Sequence, residues 1–153
     1  MRLSKFISST GYASRRKSDL LIENGFVIVN NEVCRDFSTQ IKDDDEVIVE
    51  NTKISLPEPE IFSFYKPKNC LCTSNDPEGR KTIYDALGPN YKNLISIGRL
   101  DYKSEGLLLL TNDGDLQQYL THPKNKVPKD YEVLIEGKID MKHIQKLKSG
   151  IYI

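Results

Sequence analysis

The chain has 153 residues, and its 22 lysines and arginines balance its 22 aspartates and glutamates. An apolar share of 38% and a charged share of 29% are typical of a folded globular protein and exclude a chain that is disordered throughout. No stretch is long and apolar enough for a membrane span or a signal peptide, so we expect a cytoplasmic protein without a membrane partner. Zero net charge means that any nucleic-acid site must come from local clusters of basic residues.

Cysteine and histidine are too sparse for a metal centre. The three cysteines, Cys34, Cys70 and Cys72, are an odd number, and His122 and His143 lie far apart. A structural zinc site needs four ligands, which these residues do not supply in a suitable spacing. We interpret the cysteines as reduced thiols and expect no metal.

The N-terminal third predicts two short helices. Apolar residues at helical spacing indicate a first helix that begins near Leu3 and ends near Gly11. Ser14 is a suitable N-cap for a second helix, and Gly25 is well placed just past its end.

Short strands are expected to follow. The apolar, β-branched residues 26–29 predict a strand, and Asn30 and Asn31 tolerate the left-handed turn that would lead into Val33. Three aspartates at 43–45 predict a second turn before a strand over residues 47–49.

A basic cluster marks the start of the second helix. Arg15, Arg16 and Lys17 lie where backbone N–H groups and the helix dipole favour phosphate, and Arg2 and Lys5 can lie on the adjoining helix. The alternative is an ordinary solvated helix face, because short basic runs are common.

Residues 2–7, 11–16 and 25–30 together closely resemble the RNA-binding domain named after ribosomal protein S-four. The resemblance covers about residues 1–50, although Asn31 stands where that family usually has glycine. It implies contacts to structured RNA, mostly through the RNA backbone. The residues that it implicates are Arg2, Lys5, Ser14, Arg15, Arg16, Lys17 and Asn30.

Residues 56–60, Leu-Pro-Glu-Pro-Glu, predict a linker between a domain at 1–55 and a second at 61–153. Beyond it, the alternating residues 62–66 predict a strand that stops at Pro67. Residues 76–80 predict a turn-rich loop with one basic residue, and residues 82–87 predict a short helix.

The segment 97–114 predicts a carboxylate on a loop followed by a buried strand and an Asn-Asp-Gly turn. Asp101 is that carboxylate. From the residue pattern alone it is more often an ordinary loop acid, and Glu105, Asp113 and Asp115 compete for any catalytic role.

Gly-Arg-Leu-Asp at 98–101, with residues 105–114, is very similar to the signature of the RsuA family of pseudouridine synthases. Residues 66–68, 120–123 and 129–131 resemble further motifs of that family. The resemblance implies an α+β protein, in which a small S-four-like RNA-binding domain precedes an incomplete, mainly antiparallel β-sheet catalytic domain. It also implies isomerisation of specific uridines in RNA, ribosomal RNA in particular, to pseudouridine.

By the same resemblance, Asp101 is the catalytic carboxylate, acting either on the anomeric carbon or on a ribose proton. Lys66, Arg99, Lys129 and Tyr131 are then substrate-binding residues, with Tyr131 packed against the extruded base. The alternative for Tyr131 is a core aromatic on a strand over residues 131–135. The expected partner is RNA rather than DNA, with no cofactor.

Three departures from the family pattern bear on activity. Ser104 stands where threonine is common, and Asn69 replaces a usual glycine, which could strain the turn. The chain stops at Ile153, where the family's catalytic domain is about half complete, before a basic residue that pairs with the catalytic aspartate. We therefore expect an exposed strand edge near residues 131–135 and 150–153. A catalytically inactive RNA-binding remnant is the alternative to an active synthase, and another chain could supply the missing half.

Overall fold

Helices and antiparallel strands make up the computed structural model, which describes residues 1–151. The α-helices are α1 Leu3–Ser9, α2 Arg15–Glu23, α3 Ile83–Leu87, α4 Gly114–Thr121 and α5 Met141–Ser149. The strands are β1 Val27–Val29, β2 Glu32–Val33, β3 Val47–Val49, β4 Thr52–Ile54, β5 Ile61–Lys66, β6 Ile95–Ile97 and β7 Gly106–Thr111. They form one sheet in the order β2-β1-β3-β4 and a second in the order β5-β7-β6.

Tight turns join the strand pairs of the first sheet. Asn30 and Asn31 connect β1 to β2 with φ of 49° and 69°, so the expected hairpin forms without the glycine. Glu50 and Asn51 connect β3 to β4 with φ of 46° and 67°. This second hairpin is not predicted from the sequence, because Glu-Asn is a weaker turn signal than Asn-Asn.

Helices α1 and α2 pack on the first sheet around a shared apolar core. The core includes Leu3 and Ile7 of α1, Ile22 of α2 and Val27 and Val49 of the sheet, all fully buried. Both helices lie where the sequence predicted them, with the Ser14 side chain accepting a hydrogen bond from the backbone N–H of Lys17. Burial of one face of each short helix stabilises it more than intrinsic propensity could.

The second sheet supports the loop that carries Asp101. Its strand β5 pairs with β7 over six residues, from Ile61 opposite Thr111 to Lys66 opposite Gly106. Leu108 and Leu110 of β7 are buried with residues of α3 on one face of this sheet. On the other face, Tyr65 and Leu107 are 66% and 69% exposed.

Two predictions in the C-terminal part were wrong. Residues 112–114 do not form a simple turn: Asp113 caps α4, accepting hydrogen bonds from the backbone N–H groups of Asp115 and Leu116. Residues 131–135 are not a strand, and Tyr131 is 67% exposed rather than a core aromatic. A β-pattern becomes a strand only when a neighbour pairs with its backbone, and within residues 1–151 none does so here.

The exposed strand edge expected near residues 131–135 is absent, because these residues form no strand, and residues 152 and 153 of the second expected edge lie outside the described part of the chain. Among residues 1–151, no helix combines the length and apolarity that crossing a membrane requires.

Candidate active site

The loop between β6 and β7 presents Asp101 to a cleft. Gly98, with φ of 81°, turns the chain out of β6, and the loop returns at Gly106. Asp101 is exposed at the edge of this cleft, whose volume is about 560 Å³. The lining residues are Leu71, Cys72, Thr73, Asn75, Asp76, Arg80, Arg99, Leu100, Asp101 and Tyr102.

Lys66 supports this loop from inside the protein. Its side chain is fully buried at the end of β5, and its ammonium donates hydrogen bonds to the carbonyl oxygens of Pro67 (3.0 Å), Asp101 (3.0 Å) and Ser104 (2.8 Å). An ammonium has three N–H donors, and all three are used. Lys66 was expected to contact the substrate, but the structure places it beneath the loop, where it fixes the backbone at Asp101.

Two further contacts hold the residues on either side of Asp101. The Cys72 thiol donates to the carbonyl of Leu100 at 3.3 Å, and the Leu100 N–H donates back to the Cys72 sulfur at 3.4 Å. The backbone N–H of Asn69 donates to the carbonyl of Tyr102 at 2.7 Å. The loop backbone is therefore tied down at successive residues, which limits how far the Asp101 carboxylate can move.

Asn69 adopts a left-handed conformation, with φ of 58°. Asparagine tolerates this region better than other residues with a Cβ atom. The departure from glycine at this position is therefore accommodated, and the turn still delivers its N–H to Tyr102.

Arg80, the basic residue of the loop predicted over residues 76–80, also lines the cleft. Arg80 donates from Nε and Nη2 to the two carboxylate oxygens of Asp76, at 3.0 and 2.8 Å, and from its backbone N–H to the same carboxylate at 2.9 Å. The Arg80 side chain is the main cause that lowers the pKa of Asp76 to about 2. Glu78 contacts Arg80 Nη1 at 3.1 Å.

The structure brings together only some of the expected substrate contacts. Arg99 is exposed and lines the same cleft as Asp101, whereas Lys129 and Tyr131 are exposed on a segment without helix or strand and are not among the lining residues. The sequence gives little indication of the roles of Arg80 and Cys72. Arg80 contacts Asp76 and Cys72 contacts Leu100, and the geometry of both contacts depends on the fold.

Of the residues expected to contact RNA in the first sheet and its helices, some are exposed and others form hydrogen bonds within the protein. Arg2, Arg15, Arg16 and Lys17 are exposed, the last three in the first turn of α2. The Asn30 side-chain amide is engaged, donating to the Asp45 carboxylate at 2.8 Å and accepting from the Glu46 N–H at 2.9 Å.

Two other members of that set have structural partners as well. Ser14 caps α2, and Lys5 donates to both carboxylate oxygens of Asp115 at 2.6 and 2.8 Å. Exposed arginines and a lysine at a helix N-terminus are suited to phosphate, while Lys5 would have to exchange its carboxylate partner for one.

Comparison with known proteins identifies the family to which the chain belongs. Residues 60–153 match the family of RNA pseudouridylate synthases, and residues 1–47 match the S-four domain. Because the first match covers more than half of the chain, the chain belongs to the RNA pseudouridylate synthase family.

Several similar proteins are named as pseudouridine synthases. The chain is 39% identical over 153 residues to an uncharacterized RNA pseudouridine synthase of Aquifex aeolicus, covering 99% of this chain and 61% of that protein. It is 38% identical over 150 residues to ribosomal large subunit pseudouridine synthase B of Bacillus subtilis, covering 98% of this chain and 62% of that protein. The corresponding protein of Yersinia pestis is 34% identical over 160 residues, with 99% and 50% covered. The chain thus spans about half to three fifths of the length of these relatives.

Proposed function

We propose that this protein isomerises specific uridines of RNA, ribosomal RNA in particular, to pseudouridine, with Asp101 as the catalytic carboxylate. The observation that carries the proposal is an exposed carboxylate on a loop whose backbone is fixed by Lys66, Cys72 and Asn69. Positioning of this kind is what a reaction needs when one side chain must meet one sugar. The ribosomal relatives support the choice of RNA, and we propose the cytoplasm, where ribosomal RNA is found, as the location of the protein.

The reaction breaks the bond between the anomeric carbon and N1 of uracil, turns the base, and forms a bond from the same carbon to C5. The C5 proton leaves and N1 gains a proton, so no oxidant, reductant or group donor is required. The carboxylate of Asp101 can act as a nucleophile on the anomeric carbon or as a base toward a ribose proton.

The uridine must leave its stack to reach Asp101, at a cost of a few kcal/mol. Arg99 is already in the cleft to help offset that cost. We keep Lys129 and Tyr131 as further substrate contacts, which requires their segment to approach the cleft when RNA binds.

RNA binding is assigned to the first of two domains, residues 1–55, joined by a linker at 56–60 to the catalytic domain at 61–153. The separate apolar cores of the two sheets support this division. The RNA backbone would contact the exposed cations Arg2, Arg15, Arg16 and Lys17, together with Lys5, Ser14 and Asn30.

A second candidate is a catalytically inactive RNA-binding protein, or one that needs another chain to supply further residues. It is favoured by the exposed apolar residues Tyr65, Leu107 and Leu134, which another polypeptide could cover. Under this hypothesis RNA binding is intact while isomerisation is absent or requires a second polypeptide.

Tritium release from ribosomal RNA labelled at uridine C5 separates the two candidates. The parent chain should release tritium, and Asp101→Asn, which keeps the shape of the side chain but not its charge, should not. Absence of release by a folded, RNA-binding parent chain would favour the second candidate. Equal release by both proteins would show that Asp101 is not the catalytic carboxylate.

A further inference from the structure

Arg80 is a fixed cation in the Asp101 cleft with no part in the chemistry described so far. Its side chain is 47% exposed, whereas that of its partner Asp76 is only 6% exposed. The carboxylate of Asp76 accepts hydrogen bonds from both the backbone N–H and the guanidinium of Arg80. The Arg80 side chain is therefore fixed relative to the loop backbone.

The hydrogen-bond inventory of Arg80 shows what is left for a ligand. A guanidinium carries five N–H donors. Nε and Nη2 donate to Asp76, and Nη1 contacts Glu78, whose side chain is 70% exposed. The remaining N–H groups of the guanidinium have no partner among residues 1–151. The exposed Glu78 contact is easily exchanged for another anion, because surface ion pairs are weak.

We propose that Arg80 binds a phosphate of the RNA strand next to the uridine that meets Asp101, and so sets the position of that nucleotide. The inference rests on the proposed function. Arginine suits this role because its planar fork binds phosphate oxygens in pairs and Asp76 fixes its orientation in advance. A cation is needed at this point because Asp76 and Asp101 in the cleft would otherwise repel the RNA backbone.

The test measures binding of the full chain to an unmodified transcript of large-subunit ribosomal RNA over a range of KCl concentrations. Arg80→Ala should weaken binding at least about tenfold, as expected for loss of a charge-assisted hydrogen bond. The slope of log affinity against log salt should fall by roughly 0.7 to 0.9, the value for one phosphate contact. Lys92→Gln, which removes an exposed cation that does not line the cleft, should leave affinity within about twofold.

A charge-matched pair of variants distinguishes fixed geometry from net charge. Asp76→Asn and Glu78→Gln each remove one negative charge, so a purely electrostatic effect would make both bind RNA more tightly. If Asp76 positions Arg80, Asp76→Asn should bind RNA more weakly than the parent, while Glu78→Gln should bind equally or more tightly. Thermal unfolding checks that each variant is folded, and Arg80→Lys, which keeps the charge but loses the fork, should weaken binding even if Asp76→Asn does not fold.

The outcomes separate this inference from the proposed function. Parent-like affinity and salt slope in Arg80→Ala and Arg80→Lys, with the parent bound to RNA, would overturn the role of Arg80 alone. So would tighter binding by a folded Asp76→Asn. A parent chain that does not bind ribosomal RNA at all would overturn both.

Discussion

Single residues fix the geometry of the Asp101 loop, and Lys66 does so with a buried ammonium that has no carboxylate partner in its hydrogen-bond set. Its three acceptors are main-chain carbonyls, at Pro67, Asp101 and Ser104. Hydrogen bonds to main-chain carbonyls do not involve the side chains of the loop residues. The loop can therefore present Asp101 to solvent without using its carboxylate for support.

Replacing Lys66 by methionine keeps the length of the side chain and removes all three donors. We expect Lys66→Met to lower the free energy of unfolding by about 1–3 kcal/mol, because buried acceptors are left unsatisfied. Tritium release should fall much further, while RNA affinity stays near that of the parent. Urea unfolding and tritium release measure the two effects.

Lys68→Met is the matched control for this substitution. Lys68 is 60% exposed and forms a surface ion pair with Glu105, so its loss should change the free energy of unfolding by less than about 1 kcal/mol. If Lys66→Met were as stable and as active as Lys68→Met, Lys66 would not hold the loop.

The left-handed backbone of Asn69 gives a second prediction at this scale. A β-branched residue is strongly disfavoured at φ of 58°, so Asn69→Val should lower the free energy of unfolding by roughly 1–2 kcal/mol. Asn69→Gly should change it by a few tenths of a kcal/mol, since glycine adopts this conformation without strain. Equal stabilities of the two variants in urea would show that the turn does not depend on this conformation.

At the scale of elements, α3 is a five-residue helix fixed by a reciprocal cap. The backbone N–H and hydroxyl of Thr82 donate to the Asp85 carboxylate at 2.8 Å each, and the Asp85 N–H donates to the Thr82 hydroxyl at 3.3 Å. A helix this short does not form in isolation, so the cap and the burial of Ile83 and Tyr84 stabilise it together.

The cap makes stability depend on pH. Hydrogen bonds from the backbone and side chain of Thr82 lower the pKa of Asp85 below its ordinary value of 3.8, so ionised Asp85 stabilises the folded state. That contribution is present above about pH 4 and is lost as the pH falls below it. Asp85→Asn should therefore have a lower Tm than the parent at pH 7, and the difference should shrink toward pH 3.

The control for Asp85→Asn is the exposed Asp44→Asn, which removes the same charge outside a helix cap. Its Tm should follow that of the parent across the same pH range. A Tm difference for Asp85→Asn that stays constant from pH 7 to pH 3 would contradict a stabilising role for the ionised cap.

Elements with local signals were predicted from the sequence, and contacts between distant residues were not. Ser14 and Gly25 mark the two ends of α2 in sequence and in structure. Asp101 could be singled out because its neighbours form a long signature. Cys72, by contrast, acts through the backbone of Leu100, 28 residues away, and nothing near Cys72 in the sequence indicates that contact.

At the scale of the whole molecule, the proline-containing segment 56–60 is less free than its composition suggests. The Asn112 side chain accepts from the N–H of Glu60 at 2.9 Å and donates to the carbonyl of Glu58 at 2.7 Å, and the Thr111 hydroxyl donates to the carbonyl of Glu60 at 2.6 Å. The end of β7 and the residue that follows it therefore anchor the linker to the second sheet.

The Lys5–Asp115 ion pair joins α1 to α4 across 110 residues and occupies a lysine that the S-four resemblance assigns to RNA. Asp115→Asn removes the competing carboxylate, so Lys5 becomes available to phosphate. We expect tighter binding to ribosomal RNA and a salt slope steeper by roughly 0.7 to 0.9, as for one added phosphate contact. The Tm should change little, because an exposed ion pair contributes about 0–1 kcal/mol.

The same charge change at a distant exposed residue, Glu136→Gln, separates release of Lys5 from the effect of net charge. Adding Lys5→Gln to Asp115→Asn should abolish the gain in affinity, since the cation that produced it is gone. If Glu136→Gln tightened binding as much as Asp115→Asn, or the double variant kept the gain, Lys5 would not be the group released. The ion pair would then serve only to hold α1 against α4, and the RNA-binding surface that we propose for residues 1–55 would consist of the exposed cations at the start of α2 and Arg2.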